Sequence, residues 1–184
     1  MPDAVGMIEL SSIALGYEVE DAVLKAADVQ LLLARTVCSG KYLIIVGGNV
    51  SPVQTAIEAG RQIAPDGVID SIVIPNVDRT IFPAISASVD LGPGDADALG
   101  VIETFSAASA VEAADAAVKA GNVIPFRIHL AMAIGGKGYV LLTGDVMACR
   151  AAVAAGSDVA AEHGLLVNRV VIPRPRPELF RDFV

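Results

Sequence analysis

At 184 residues the chain has room for one domain or two small ones, and a net charge of −8 without any cluster of lysine and arginine excludes a protein built to grip a nucleic-acid backbone. Hydrophobic residues make up 54% of it, yet glycine, proline and charge break every apolar run before it reaches the length of a transmembrane helix. The opening "MPDAVGMIEL" lacks the basic-then-apolar pattern of a secretory signal, and two distant cysteines, Cys38 and Cys149, make no disulfide framework, so a reducing cytoplasm is the expected compartment.

In chain order, "VGMIELSSI" predicts a strand, and Val19, Ala22, Val23, Ala26 and Ala27 recur at helical spacing. "VQLLLARTV" and "KYLIIVGG" read as a hairpin around Ser39-Gly40, with Cys38 opening the turn. Ser51 as N-cap, Pro52 at the first helical position and Gln54 at the third predict a helix start, with the helix running to about Ala64. Asp66-Gly67 turns the chain into "VIDSIVIP", a strand stopped by Pro75, and a short helix trails it. The same elements then return. "AVGMIEL" (4–10) reappears as "ALGVIET" (98–104), "EDAVLKAADV" (20–29) as "ADAAVKAGNV" (114–123), "SGKYLIIVGGNV" (39–50) as "GGKGYVLLTGDV" (135–146), and "SIVIPNVD" (71–78) as "RVVIPRPR" (169–176). In the second copy Ser109 and Glu112 suggest a capping box at the first helix.

The chain is therefore expected to hold two copies of one domain, residues 1–86 and 97–184, joined by a linker over 87–96 within "SASVDLGPGDAD". The order β-α-β-β-α-β with a trailing short helix, twice, predicts a two-layer α+β sandwich in each copy. Its second sheet face needs covering by helices, a partner or water. Apolar content rich in Ala and Val suits flat subunit contacts, so an oligomer is expected.

With "GMIE" and "DAVLKAADV" in the first copy, and "GVIE", "ADAAVKAGNV" and "VIPRP" in the second, nearly the whole chain resembles the bacterial microcompartment shell proteins. It is most similar to the tandem-domain form that assembles as a trimer imitating a hexamer. Within that form it looks like the subtype, from propanediol-utilisation compartments, with a cysteine in the turn between the second and third strands, where "TVCSGK" places Cys38. The domains run in the common rather than the permuted order, because each copy opens on the "GxIE" strand. The resemblance implies a flat, non-enzymatic tile: three chains around a pore, packed edge to edge with other shell proteins into a shell that encloses enzymes. It places Cys38, Ser39, Gly40 and Lys41, and in the second copy Ile134, Gly135, Gly136 and Lys137, at the pore through which small metabolites would pass. It places Lys25 and Lys119 at the tile edge. Arg174 matches the family's supporting arginine, but the first copy has Asn76 there, so the two kinds of edge are not expected to be equivalent.

Each of these residues also has a plainer role open to it. A free cysteine is often a small buried hydrophobe, and one chain lacks the four thiolates that iron–sulfur clusters normally need. On a three-fold axis, however, one Cys38 per chain becomes three, and the subtype is known for holding a [4Fe–4S] cluster this way, its fourth iron on a non-protein ligand. An unmetallated pore thiol is the competing expectation. Cys149, among apolar helix neighbours, reads as structural. Lys25 and Lys119 could be solvated helix residues; Lys41 and Lys137 either set the field at the pore or are solvated strand ends. Gly47-Gly48 and Gly135-Gly136 lack nucleotide-loop spacing and read as tight turns. Glu9 and Glu103 read as structural, hydrogen-bonded to backbone or at a subunit contact. His129 and His163 have no partner at metal spacing, and His163 precedes Gly164 at a helix end that favours positive charge. No nucleophile–base set appears. A duplicated ferredoxin-like regulatory domain binding a small effector is the alternative, with a soluble electron carrier third; a trimer that forms sheets separates the tile from a soluble effector-stabilised dimer.

Overall fold

The computed structural model describes residues 2–92 and 97–180. The first repeat runs β1 (Ala4–Leu10), α1 (Ile13–Ala26), β2 (Gln30–Val37), β3 (Lys41–Gly48), α2 (Val50–Ile63), β4 (Val68–Pro75) and α3 (Ile81–Ile85). The second runs β5 (Ala98–Thr104), α4 (Ala107–Ala120), β6 (Ile124–Leu130), β7 (Gly138–Gly144), α5 (Val146–Glu162) and β8 (Leu166–Pro173), and ends in a single 3₁₀ turn, Pro177–Phe180. Residues 93–96 of the expected linker lie outside the described residues.

The two sheets have the same order, β2-β3-β1-β4 and β6-β7-β5-β8. Ala4 pairs with Pro75 and Ala98 with Pro173, and both pairings shift register at the same place, after Glu9 and after Glu103. The repeat thus extends to the hydrogen-bond register and its irregularity.

In the first repeat Ala4, Ile8 and Leu10 of β1 join Ile44 and Val46 of β3 against Val19 and Val23 of α1 and Val53 and Ile57 of α2. These strand residues share one face because side chains alternate across a strand. The opposite face is no less buried at its centre: Val5, Met7, Glu9 and Leu43 are fully buried. That is why "AVGMIEL" shows no apolar–polar alternation. Gly6 is fixed by close packing, since a Cβ there would lie 2.5 Å from Ile57 Cγ1; its counterpart Gly100 faces Leu142 Cδ1 at 2.5 Å.

Two helix starts differ from the sequence reading. α2 begins at Val50 with Asn49 as N-cap, so Ser51, Pro52 and Gln54 lie inside the helix. Proline is tolerated there because the first-turn amides have no intrahelical acceptor. α4 begins at Ala107, and its cap is Ser106, whose Oγ accepts the Ser109 amide at 2.9 Å, so Ser109 sits in the first turn rather than at the cap. Ser12 does the same for α1, accepting the Leu15 amide. Gly47-Gly48 is the end of β3 rather than a turn, and a Cβ on Gly47 would lie 2.8 Å from Pro2.

The described residues divide into two compact units whose boundary cuts across the repeat. Residues up to Val77 form the first unit together with Ser106–Ser109 and Leu130–Gly138 of the second repeat; the remainder form the other.

Candidate functional site

The site is built on the link between β2 and β3. Val37 pairs with Lys41, leaving three residues to reverse the chain. Ser39 (φ +67°) and Gly40 (φ +71°) do this in the left-handed region. Glycine takes that conformation freely, while serine adopts it against a strain of about 1–2 kcal/mol. A Cβ on Gly40 would meet nothing within 4 Å, so backbone geometry, not space, demands the glycine. Cys38 opens the turn half-exposed.

Within the first unit the segment 130–138 grips this turn. The Cys38 amide donates to the Ala131 carbonyl at 3.0 Å, and the Ala133 amide donates to Cys38 Sγ at 2.8 Å. Ala131 and Ala133 reach these positions in the left-handed region, at φ +56° and +59°, followed by Gly135 and Gly136 at +69° and +85°. Two strained alanines are thus held in place where they fasten the cysteine, one through its backbone and one through its sulfur. Gly136 is buried against the same turn: a Cβ there would lie 3.2 Å from Lys41 Nζ and 3.6 Å from the Cys38 carbonyl oxygen. Ile134 is half-buried, Gly135 exposed and Lys137 partly buried.

Lys41 is not a solvated strand end. Its ammonium lies 2.7 Å from Oε1 of the fully buried Glu9. Glu9 Oε2 accepts the amide of Ala107, the first residue of α4, at 2.8 Å. Directly across the β1–β4 pairing stands Asp70, whose carboxylate accepts from the Ser106 hydroxyl. Two carboxylates facing each other across strands repel. Here a helix N-terminus, with its partial positive charge and unsatisfied amides, and the Lys41 ammonium offset that repulsion. Glu9 therefore has the backbone hydrogen bond expected of it, and it joins the turn at Cys38 to the start of α4.

The other candidate residues lie in different settings. Lys25 pairs with Asp21 at 2.5 Å and Lys119 with Asp115 at 2.5 Å, the same i,i+4 bridge in each repeat. The first pair is exposed; Asp115 is buried and also accepts the Asp78 amide at 2.7 Å. Arg174 is exposed and left-handed (φ +48°), donating its amide to Asp97, and its counterpart Asn76 is left-handed too (φ +51°). Cys149 is fully buried, with Sγ 3.6 Å from the Gly144 carbonyl oxygen. Burial, and secondarily the charge of Asp145, push its thiol up to about 11, as befits a structural cysteine. His129 stacks on Tyr139, and His163 caps the end of α5 before the left-handed Gly164. Ala131 and Ala133 escaped the sequence reading; the only visible signal was that the second turn is longer than the first.

The BMC domain family matches residues 4–77 and 98–175, the two repeats. The chain belongs to the BMC-domain family of bacterial microcompartment shell proteins. The bacterial microcompartment shell protein PduT of Citrobacter freundii is 47% identical over 186 residues, covering 100% of this chain and 99% of its own. The shell protein EutM of Salmonella typhimurium is 42% identical over 87 residues, 47% of this chain but 88% of its own, so it corresponds to a single repeat. A crystal structure of a microcompartment protein from Desulfitobacterium hafniense superposes with a TM-score of 0.85 at 47% identity, covering 96% of this chain and 97% of that one. A fused permuted hexameric shell protein from the RMM microcompartment shares the fold alone, with a TM-score of 0.64 at 23% identity over 86% of this chain. This shell protein opens each repeat on the "GxIE" strand, β1 or β5. Its relatives are structural shell components rather than enzymes. Nothing in the comparisons favours the effector-binding alternative. Among its described residues no helix is long and apolar enough to cross a membrane.

Proposed function

We propose that three copies of this shell protein close into a pseudohexameric tile of a microcompartment facet, with Cys38–Lys41 and Ile134–Lys137 lining a central pore. The observation that carries this reading is the half-exposed Cys38, held at its turn by Ala131 and Ala133, in a chain that matches PduT over its full length. Among the described residues no three His, Cys, Asp or Glu side chains of one chain could hold a metal ion. A cluster therefore needs thiolates from more than one chain, and the three-fold axis of the tile would bring three Cys38 residues to one point. Cys38 fits a [4Fe–4S] cluster: its sulfur is a soft donor at an accessible turn, and the Ala133 amide aimed at it is the kind of hydrogen bond that tunes such clusters. Bound there, the cluster supplies one-electron redox chemistry at the shell; without it, the same opening passes small metabolites. Other shell proteins flank the tile and the enclosed enzymes lie behind it.

Native mass spectrometry should give the mass of three chains. A stable monomer at micromolar concentration removes the tile altogether.

Lys25, with Arg174, is assigned to the tile edge. Lys25→Asp should abolish extended sheets in electron micrographs while the trimer persists, because the side chain is 74% exposed and the exposed bridge to Asp21 that the change also breaks contributes little to folding. Lys119 is the poorer probe, since its replacement would strip the buried Asp115 of its cation. Normal sheets from Lys25→Asp would make this lysine an ordinary surface residue.

A further inference from the structure

We propose that the second repeat carries a small-molecule site, bounded by the linker and the last turn, that takes a free α-amino acid with an apolar side chain. The site lies within one compact unit of one chain and does not depend on the ring proposed above.

A cavity of about 360 Å³ opens beside the sheet of the second repeat. β6 contributes Phe126 and Arg127 to its lining, β7 contributes Leu141, the linker Val89 and Asp90, and the last turn Phe180. The rings of Phe126 and Phe180 meet with centroids 5.6 Å apart, which fastens that turn to the sheet at the cavity. Small-molecule sites span roughly 300–1,000 Å³, so this one suits a compact ligand, a single ring or a short branched chain, rather than a nucleotide.

The first repeat treats the same place differently. In the repeat register Arg127 stands where the first copy has Leu33, and Leu141 where it has Ile45. Leu33 and Ile45 are paired across β2 and β3, and Ile45 is 2% exposed. There the position is apolar and closed; here it holds a half-buried guanidinium beside a half-buried leucine facing a cavity. Leucine serves the packing, as the first repeat shows, so the cation answers a different need. Arg127 is already engaged within its own chain, and its five N–H donors leave room for a carboxylate beside that partner.

The charges name the ligand class. Arg127 and Asp90 are opposite in sign and line one cavity. A plain carboxylate would suit Arg127 but bring a like charge to Asp90; a plain amine would do the reverse. A zwitterion suits both, its carboxylate on the guanidinium and its ammonium on the exposed Asp90, with the side chain against Phe126, Leu141 and Phe180.

Saturation-transfer NMR on the full-length protein with L-phenylalanine tests this. L-phenylalanine should receive saturation, and phenylacetate and phenethylamine, which each lack one charge, should bind at least about tenfold more weakly, the worth of one charge-assisted hydrogen bond. Arg127→Leu, which installs the residue of the first repeat, and Asp90→Asn should each weaken L-phenylalanine by about the same factor with unchanged circular dichroism. Asp90 lies exposed in the linker, so its replacement decides the matter even if Arg127→Leu unfolds. No saturation of L-phenylalanine or L-leucine at millimolar concentration would overturn the site and leave the two charges as fasteners of the linker. Equal binding of either single-charge analogue would overturn the zwitterion, and binding that survives Asp90→Asn would place the ligand elsewhere.

Discussion

Glu9→Gln should lower unfolding free energy by about 3–5 kcal/mol, the usual loss when one member of a buried ion pair is removed. Glu9 is fully buried, and its two oxygens have separate duties, one to the Lys41 ammonium and one to the Ala107 amide. Glutamine keeps the shape but has a single acceptor. Turned one way, its NH₂ faces an ammonium; turned the other, it faces a peptide N–H. Either way two donors meet, and Lys41 keeps a charge whose counter-ion has gone. Pairing Glu9→Leu with Lys41→Met should lose much less than the two single changes together, because the double change leaves no buried charge. Urea titration with an unchanged m-value reads the effect. A loss below about 1 kcal/mol would place the pair among weak surface bridges.

Cys38→Ser should abolish iron binding outright. Wild-type protein reconstituted anaerobically with iron and sulfide should turn brown, with iron near about four atoms per three chains, the content of one [4Fe–4S] cluster. Serine keeps the turn, since the left-handed Ser39-Gly40 pair does not depend on the thiol, so the variant should remain trimeric and colourless. Cys149→Ser should keep the colour, because that thiol is fully buried against the carbonyls of Ala98 in β5 and Gly144 in β7. Wild type that stays colourless and iron-free after anaerobic reconstitution would leave Cys38 a pore thiol.

The sheets and helices were legible because their signals are local. "KYLIIVGG" is apolar and β-branched, "VIDSIVIP" ends on proline, and the internal repeat fixed order and extent at once. The helix starts slipped for two reasons. Pro52 marks a first turn without fixing its first residue, and in the alanine-rich α4 two serines, Ser106 and Ser109, offered the same capping chemistry three residues apart. Gly47 is needed for close approach to Pro2, which looks no different in sequence from a turn glycine. The site was half legible. Cys38 stood out as a thiol at a glycine turn. Glu9 and Ala107 meet across 98 residues, and no window shows that pairing. Ala131 and Ala133 take left-handed backbone under tertiary constraint, against a residue type that gives no sign of it.

The inequality of the two turns has a consequence for how such a tile can evolve. A ring of six identical domains presents every axial residue six times, so a mutation there changes everything by sixes. In this chain the β2–β3 turn is three residues long, Cys38 to Gly40, while the β6–β7 connection is longer and is built from alanines and glycines that hold its neighbour. A substitution at position 38 appears three times around a three-chain ring and leaves the other three turns untouched. Gene duplication thereby separates two demands that a single-domain tile must meet with one sequence: one turn is free to acquire new chemistry while the other holds that turn in place. An odd number of identical ligands also becomes available, which a six-fold axis cannot offer.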